Sequence, residues 1–365
     1  MAEFSSSTGI ALRVARQARG LTQQQLAGMA GVTRQAVSAF ESGVSDPSLR
    51  VALALAGALG MTVEDVFGTG ESGDPVLARP VAPARPGTRV ALATVGDTFV
   101  ALPLDGGTVA ATGFGAAGGL IPRHPGTLPP RAARPREVPV RPVGPPRPTV
   151  VVAGCDPALP LLETPLNLLD PPVMLSWWPC GSGEALRLAA AGLVHAAGIH
   201  RAVEDPAAVN VTSFPGGAEV VGFASWREGL VARPGTAVTG LDDVARLGLR
   251  LVNREPGAQA RTLLDQECRR LGLVPAELPG YESQAAGHLQ VAAAVAGRLA
   301  DAGVSSEPAA LAYGLDFIPL TTERFDLVIP AKLATSREVQ GLLKVLTSPW
   351  LVTQLASLPG YRPAA

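Results

Sequence analysis

The sequence predicts a multi-domain protein in which a small all-helical domain precedes a larger α/β domain. Two short helical patterns flank a glycine turn between residues 21 and 43, and proline becomes frequent from about residue 71. After residue 149, strand-like and helix-like segments alternate. The length of 365 residues suits two or three domains. We predict boundaries at 1–70, 71–148 and 149–365.

Helix start and stop signals are dense in the N-terminal segment. Thr22 and Gln25 have the spacing of a capping box, and Thr33 is a suitable N-cap for the next helix. Gly31 and Gly43 can end these two helices. Further helices are predicted at 8–20, 49–59 and 63–67, so we expect a five-helix domain.

The two central helices resemble the lambda-repressor-like, or XRE-type, helix-turn-helix family, and the resemblance covers residues 8–68. The matching motifs are Leu21-Thr-Gln, Leu26-Ala, Gly31-Val-Thr, Val37-Ser and Phe40-Glu-Ser-Gly. The resemblance implies sequence-specific binding to double-stranded operator DNA, hence a transcriptional regulator. A single recognition helix reads few base pairs, so a homodimer is expected. The implied DNA-binding residues are Gln23, Thr33, Arg34, Gln35, Ser38 and Ser42.

The proline-rich connector, 71–148, also contains β-prone segments. Residues 88–94 and 98–104 flank Gly96-Asp97, which indicates a hairpin, and a third strand is predicted near 108–112. We therefore expect a small β-meander over about 86–122, followed by a Pro/Arg-rich linker from 123 to 148. A disordered tether throughout is the alternative.

The C-terminal segment is long enough for two α/β lobes around a cleft. Its alternating pattern predicts a doubly wound sheet with ligand sites at strand ends. Strands are predicted at 150–153, 209–211, 219–223, 228–232, 249–253, 316–319 and 326–330, and helices at 183–197, 241–247, 258–271, 285–299 and 335–357.

Two loops in this segment share one design. Gly181-Ser182-Gly183 and Pro256-Gly257-Ala258-Gln259 each precede a predicted helix. A helix start after a loop of small residues leaves backbone N–H groups free and directs the positive end of the helix dipole at the loop. Two such starts facing one cleft could bind an anion, although each loop alone is more often structural.

Residues 149–362 resemble a cytoplasmic version of the type 2 periplasmic-binding-protein fold, in the branch similar to molybdate-binding proteins. The motifs include Gly154-Cys-Asp-Pro-Ala, His195-Ala-Ala-Gly198, Trp226-Arg-Glu-Gly-Leu230, Val252-Asn-Arg-Glu and Leu358-Pro-Gly-Tyr361. The resemblance implies an oxyanion effector such as molybdate or tungstate, although Ser306 stands where that branch often has a tyrosine. A small organic metabolite, or a dimerisation scaffold that senses nothing, are the alternatives. The predicted ligand-binding residues are Ser182, Gly183, Arg227, Glu228, Arg254, Gly257, Ala258, Gln259, His288 and Ser306.

Several function classes are disfavoured by what the sequence lacks. The formal net charge is −1, so any basic DNA-binding surface must be local. The three cysteines have no paired spacing, which argues against disulfides and a Cys-type zinc site. Neither a GxSxG elbow nor HExxH occurs, and no catalytic residues, metal or cofactor are expected. No signal peptide or membrane span is recognised, so a soluble cytoplasmic protein is expected. His195 and the Trp177-Trp178 pair are expected to be packing residues.

Overall fold

The computed structural model describes residues 12–67, 75–122, 137–144, 146–202, 214 and 216–364. The beginning of the predicted first helix, the predicted strand at 209–211 and most of the predicted linker lie outside the described residues. Among the helices that are described, none is both long and apolar enough to cross a lipid bilayer.

Within residues 12–67, five helices form the N-terminal domain. Their bounds are α1 12–18, α2 Gln23–Ala30, α3 Arg34–Glu41, α4 Leu49–Leu59 and α5 Val63–Phe67. The core combines one apolar face from each helix, including the fully buried Leu12, Leu26, Val37, Leu55 and Leu59.

Local signals set the ends of α2 and α3. The Thr22 hydroxyl accepts a hydrogen bond from the Gln25 amide, and the Gln25 side chain accepts one from the Thr22 amide, so the capping box is complete. The Thr33 hydroxyl accepts from the Ala36 amide at the start of α3. Gly31 ends α2 with a φ of 66°, a conformation that glycine adopts without a steric cost.

The connector contains a closed five-stranded barrel, where the sequence predicts a three-stranded meander. Its strands are β1 Val76–Pro80, β2 Arg89–Val95, β3 Thr98–Pro103, β4 Gly119–Leu120 and β5 Val138–Pro142, in the order β1-β3-β2-β4-β5. The central hairpin lies where it is predicted, but β1 and β5 come from segments predicted as non-strand. They pair antiparallel with each other, and this pairing removes the exposed sheet edges.

The predicted third strand of the connector is wrong. Residues 108–112 lie in a helix, α6, Gly106–Thr112, which begins directly after Asp105. The strand preference of Thr and Val depends on a neighbouring strand to pair with, and residues 108–112 have none among the described strands; Asp105 stands at the N-cap position of the helix that forms instead.

In the described residues of the C-terminal domain, nine strands form one mixed sheet, and helices pack against it. Its first elements are β6 Thr149–Ala153, α7 Glu163–Asn167, β7 Met174–Trp178, α8 Ser182–Ala190, β8 Ala196–Ala202, β9 Ala218–Ala232, α9 Leu241–Arg246 and β10 Leu251–Arg254. The remaining elements are α10 Gln259–Leu271, β11 Gln284–Ala285, α11 His288–Ala296, β12 Ala302–Ser306, α12 Glu307–Ala312, β13 Asp316–Pro330, α13 Arg337–Leu346, α14 Pro349–Ser357 and β14 Arg362–Pro363.

Two long antiparallel strands, β9 and β13, join the two lobes of this domain. In the first lobe, β13 pairs with β8 over residues 323–328, and β6 lies between β8 and β7. In the second lobe, β9 pairs with β12 over residues 228–232, and β10 lies between β12 and β11. Each long strand therefore changes lobe near its middle, at about residue 227 in β9 and 322 in β13.

Several predicted helices and strands of this domain have different bounds in the structure. The helix predicted at 183–197 ends at Ala190, and 196–202 is strand β8, which pairs with β6 and β13. The helix predicted at 335–357 is two helices, because Ser348 caps a new one and Pro349 occupies its first turn. The strand pairs predicted at 219–223 and 228–232, and at 316–319 and 326–330, are the continuous strands β9 and β13.

Candidate functional site

The N-terminal part of α3 forms a polar exposed surface. Arg34, Gln35 and Ser38 are exposed, whereas Val37 on the opposite face is fully buried. Thr33 and Ser42, at the two ends of the helix, are exposed as well, although both hydroxyls also bond to the backbone. Five of the six predicted DNA-binding side chains therefore lie on one exposed helix and its two caps.

The sixth, Gln23, is half-buried and takes part in a buried ion-pair network centred on Glu41. Its amide donates to a Glu41 carboxylate oxygen at 2.9 Å. The Arg16 guanidinium binds both oxygens of the same carboxylate, with N···O distances of 2.5 and 3.0 Å. Burial opposes ionisation of Glu41, but the hydrogen bonds from Arg16 and Gln23 lower its pKa below the ordinary 4.5. The network fixes α3 against α1 and α2.

In the C-terminal domain, the two predicted loops that precede helices lie against each other. A Cβ atom placed on Gly181 would come 3.5 Å from both the Ala258 Cα and the Gly257 oxygen. Gly183 also faces the Gly257 oxygen. The N-termini of α8 and α10 are therefore in contact with each other. Neither helix has a side chain that caps its first backbone N–H groups.

A cavity of about 390 Å³ opens beside this contact. Its walls come from the loop before α8, the loop before α10 and the end of β11; the lining residues are Trp178, Pro179, Cys180, Gly181, Glu184, Glu255, Pro256, Gly257, Gln284, Ala285 and Ala286. Both carboxylates in the lining are paired with arginines, Glu184 with Arg187 and Glu255 with Arg254.

A second cluster of polar side chains is buried around His200 on β8. The His200 Nε2 atom lies 2.9 Å from the Cys155 Sγ atom, and its Nδ1 atom lies 2.8 Å from a Glu323 carboxylate oxygen. Cys155 follows β6 directly, and Glu323 lies where β13 changes lobe. Glycines make room beside the cluster: a Cβ on Gly198 would lie 2.1 Å from a ring carbon of Phe325.

Two further groups extend the cluster toward the second lobe. The Glu228 carboxylate lies 3.8 Å from His200 Nδ1, and the ring centroids of His200 and His288 are 5.3 Å apart. The carboxyl oxygens of Glu228 and both ring nitrogens of His288 are buried, and within the described residues they have no hydrogen-bond partner. Cys155, His200 and His288, and likewise His200, Glu228 and Glu323, place their ligand atoms within 4.8 Å of one another.

The pKa directions in the cluster follow from burial and close neighbours. Burial opposes the charged form of Cys155, but His200 beside it brings the pKa of the thiol below its ordinary value. Burial likewise opposes protonation of His200, yet Cys155 and Glu323 raise the pKa of the imidazole well above 6.5. Burial and the charge of Glu323 raise the pKa of Glu228, while burial and Arg254 lower that of His288.

The predicted ligand residues separate into three groups. Ser182, Gly183, Gly257, Ala258 and Gln259 lie at the two helix starts, with the Ser182 hydroxyl accepting from the His200 amide at 3.0 Å. Glu228, Arg254, His288 and Ser306 are buried at or next to the His200 cluster; Ser306 is opposite Glu228 in the β9–β12 register.

Arg227 is the exception, because the alternation of β9 turns its side chain away from both sites. It is half-exposed, pairs with Glu307 and lies over the Phe317 ring. Sequence reasoning placed it in the cleft next to Glu228, whereas adjacent residues of a strand point to opposite faces.

Three residues of the His200 cluster, Cys155, His200 and Glu323, are not predicted from the sequence, because they are far apart in the chain. Cys155 and His200 are separated by 45 residues, and His200 and Glu323 by 123. The position of Cys155 directly after a predicted strand, within Gly154-Cys-Asp, is a signal that could have identified it, since ligand sites occur at such strand ends. His195, predicted as a packing residue, is buried, and its Nδ1 accepts from the Val151 amide.

Comparison with known proteins identifies both domains. The model of the PBP superfamily domain matches residues 165–347, which is half of the chain. The chain belongs to the PBP superfamily. A helix-turn-helix model matches residues 12–66. The recognition made from the sequence, an XRE-type helix-turn-helix domain fused to a PBP-like domain, is confirmed, as is the predicted fold class.

Individual relatives match parts of the chain. An uncharacterized HTH-type transcriptional regulator of Methanocaldococcus jannaschii is 43% identical over 56 residues, which are 15% of this chain and 85% of that protein. The uncharacterized protein YvgK of Bacillus subtilis is 35% identical over 124 residues, 34% of this chain, and the match spans only 40% of the length of YvgK. The tungstate ABC transporter structure from Geobacter sulfurreducens is 15% identical, with a TM-score of 0.43 and coverage of 57% of this chain and 97% of that one. A structural similarity this low says nothing about the ligand of the PBP domain.

Proposed function

We propose that this chain is a one-component, sequence-specific DNA-binding transcriptional regulator whose PBP domain senses a small ligand, an oxyanion such as molybdate or tungstate. The observation that carries the ligand proposal is the meeting of two uncapped helix starts, α8 and α10, beside a cavity. The DNA-binding half is supported by the exposed polar surface of α3.

The α3 surface has the chemistry of base recognition. An arginine can donate two hydrogen bonds to guanine, and a glutamine can form two with adenine, in the major groove of DNA. Arg34 and Gln35 lie in the first turn of α3, which is the part of a recognition helix that contacts base edges. Ser38 lies one turn later on the same exposed face.

The proposed oxyanion position rests on the contact between two helix starts of the PBP domain. The helices α13 and α14 each have an N-cap serine whose hydroxyl accepts a backbone N–H bond, whereas the other described helices of the domain have no side-chain cap. Among the uncapped starts, those of α8 and α10 lie against each other at Gly181 and Gly257. The free first-turn N–H groups of α8 and α10 can then bind an anion together with the helix dipoles.

The charges around the cavity are compatible with an anion. Glu184 and Glu255 would repel an oxyanion if they were unpaired, but each is engaged by an arginine with two N···O contacts. Arg254, which neutralises Glu255, is itself buried. The net charge around the cavity is therefore close to zero, and the positive ends of the helix dipoles make the cavity favour an anion.

Calorimetric titration of the full chain with molybdate, tungstate, sulfate and phosphate tests the ligand. We expect heat of binding from at least one of them, and its loss in Gly181→Val, because the valine side chain would occupy the contact between the two loops. Gly107→Val is the matched control, since Gly107 lies in α6 and has open space around the Cβ position. Absence of heat from all four anions would remove the oxyanion proposal.

An organic ligand is the second candidate, and the size of the cavity favours it. A volume of about 390 Å³ falls in the range of small-molecule sites, roughly 300–1,000 Å³, and exceeds what a tetrahedral oxyanion needs. A thermal-shift screen of organic acids and pterin-like compounds separates the two candidates. Stabilisation by oxyanions alone excludes the organic ligand.

Regulation requires that the ligand changes DNA affinity. A gel-shift titration of the full chain on DNA from upstream of its own gene, with and without saturating ligand, measures this coupling. We expect a change of about 5- to 150-fold, the usual range of allosteric coupling. A ligand that binds the PBP domain yet leaves DNA affinity unchanged would refute sensing and favour a scaffold role.

We also propose a cytoplasmic homodimer as the DNA-binding form. One α3 helix reads too few base pairs for useful specificity, and a dimer reads two half-sites about one helical turn apart. The N-terminal domain exposes Val44, Leu49 and Leu53, which could form part of a protein contact. Light scattering during size-exclusion chromatography measures the assembly, and a monomer that binds DNA with full specificity would contradict it.

A further inference from the structure

We propose that Cys155, His200 and His288 form a binding site for a borderline-soft transition-metal ion such as Zn²⁺, with Glu323 orienting His200. The spacing of the three cysteines in the sequence does not indicate a zinc site. None of these residues lines the cavity at Gly181 and Gly257, although the His200 amide donates to the Ser182 hydroxyl at the start of α8.

The hydrogen bond between His200 and Glu323 prepares one ring nitrogen for a metal. Nδ1–H donates to the Glu323 carboxylate at 2.8 Å, and Nε2 faces Cys155 Sγ at 2.9 Å, so loss of the proton shared between Nε2 and Sγ makes the Nε2 lone pair available. Carboxylate–histidine–metal arrangements of this kind fix the tautomer and orientation of metal-binding histidines. Glu323 would therefore be a positioning residue.

His288 gives the second, independent observation. Its ring is only 2% exposed, and neither ring nitrogen has a hydrogen-bond partner among the residues that the structure describes. Burying an imidazole without any partner costs free energy, and metal coordination would satisfy one nitrogen. One of these nitrogens lies within 4.8 Å of both the Cys155 and the His200 ligand atoms.

The distances are close to those of a tetrahedral site. Zinc–sulfur and zinc–nitrogen bonds of about 2.3 and 2.0 Å at tetrahedral angles imply ligand atoms about 3.3–3.5 Å apart. The present Sγ–Nε2 distance of 2.9 Å is that of a hydrogen bond, so metal entry widens it slightly and releases the shared proton to solvent.

The donor set also decides the class of metal. A thiolate with two imidazoles suits Zn²⁺, Co²⁺ or Cu⁺, whereas Mg²⁺ and Ca²⁺ prefer oxygen ligands. The two negative charges of a Cys155 thiolate and a Glu323 carboxylate balance one divalent cation in this buried position. A nucleophilic triad of Cys155, His200 and Glu323 is the alternative, but it would leave the buried ring nitrogens of His288 without a role.

The position of the site gives it a mechanical consequence. Cys155 and His200 belong to the first lobe, whereas His288 begins α11, which packs with β12 in the second lobe. A metal ion bound to all three would join the lobes across the point where β9 and β13 pass between them. We therefore expect metal binding to stabilise the closed arrangement of the PBP domain.

Cobalt titration of the full chain, after removal of metals with a chelator, tests the site. We expect one Co²⁺ per chain and a thiolate-to-cobalt charge-transfer band in the near ultraviolet, which Zn²⁺ abolishes. Cys155→Ser should remove the band, while Cys180→Ser and Cys268→Ser, at the other two cysteines, should retain it. Glu323→Gln should weaken metal affinity about 10- to 100-fold and keep the band at saturation.

X-ray absorption of the zinc-loaded wild-type chain provides a measurement that no folding defect can disturb. We expect one sulfur and at least two nitrogen ligands. A shell of oxygen alone, a stoichiometry near zero, or a charge-transfer band that survives in Cys155→Ser would overturn the metal site. Rapid alkylation of Cys155 by iodoacetamide in a chain that binds no cobalt would assign the cluster to a reactive thiol instead. The calorimetric titration of Gly181→Val with oxyanions tests the proposed function, and its outcome does not depend on the cobalt titration.

Discussion

The buried ion pair between Arg16 and Glu41 makes the helix-turn-helix domain sensitive to one substitution, Glu41→Ala. The Glu41 side chain is 1% exposed and the Arg16 side chain 11%, so water cannot replace the lost partner. Removing one member of a buried pair typically costs about 3–5 kcal/mol, because the other charge stays buried and unpaired. Arg16 keeps one bond, to the Leu21 carbonyl oxygen at 2.7 Å, so we take the lower limit of about 3 kcal/mol.

This loss is large for a domain of this size. At about 0.05–0.15 kcal/mol per residue, a segment of about 60 residues has roughly 3–9 kcal/mol of stability. A loss of about 3 kcal/mol corresponds to about two powers of ten in the opening equilibrium. Hydrogen–deuterium exchange of the buried amides in α2 and α3 should therefore accelerate about a hundredfold in the full chain.

A matched control is the surface pair Glu267–Arg270 on α10. Its arginine is largely exposed, so Glu267→Ala should change exchange in α10 by no more than a few-fold. Replacing both members of the buried pair, as Arg16→Met with Glu41→Leu, should recover much of the protection because no unpaired charge remains. Exchange in Glu41→Ala that stays within threefold of wild type would refute the reasoning.

Three further predictions concern other parts of the chain. Because the folded-state pKa of Glu41 is below its ordinary 4.5, its contribution to stability is present above that pH and is lost as the pH falls through the folded value; exchange in α3 measured between pH 6 and 3 checks this. Arg34→Ala or Gln35→Ala should weaken operator binding by about 1–3 kcal/mol per lost base contact and relax sequence preference, and unchanged selection from a random DNA library would show that another surface reads the bases. Gly198→Ala should lower the free energy of unfolding of the PBP domain by about 1–3 kcal/mol, measured by scanning calorimetry, because the added Cβ would overlap the Phe325 ring. An unchanged unfolding temperature would mean that the ring moves freely.

Local chemistry in the sequence determined the helix-turn-helix domain. The capping box of Thr22 and Gln25, the Thr33 cap and the Gly31 turn depend on residues at most three positions apart, and the structure contains each of them. The amphipathic pattern of α3 similarly separates buried Val37 from exposed Arg34 and Gln35. Such features are predictable because the interacting groups are neighbours in the chain.

The barrel and strand β8 could not be predicted from local sequence, because both depend on pairing between distant segments. The strands β1 and β5 are separated by about sixty residues, and each is short, rich in proline and unremarkable alone. Their pairing with each other is what makes them strands. Residues 196–202 extend as β8 for the same reason, since β6 and β13 on either side supply the hydrogen bonds that an alanine-rich helix would otherwise form internally.

The two candidate ligand sites also differ in how far the sequence predicts them. Sequence identified the two glycine-containing helix starts, because a loop of small residues before a helix is a local pattern, but only the fold shows that Gly181 and Gly257 touch. The sequence predicts His288 and Glu228 as ligand residues, but it does not indicate Cys155, His200 or Glu323, because these three lie far apart in the chain, at the end of β6, on β8 and at the crossing point of β13. Local sequence determined the helix caps and the glycine-containing helix starts, and the pairing of distant strands decided which side chains share a buried volume.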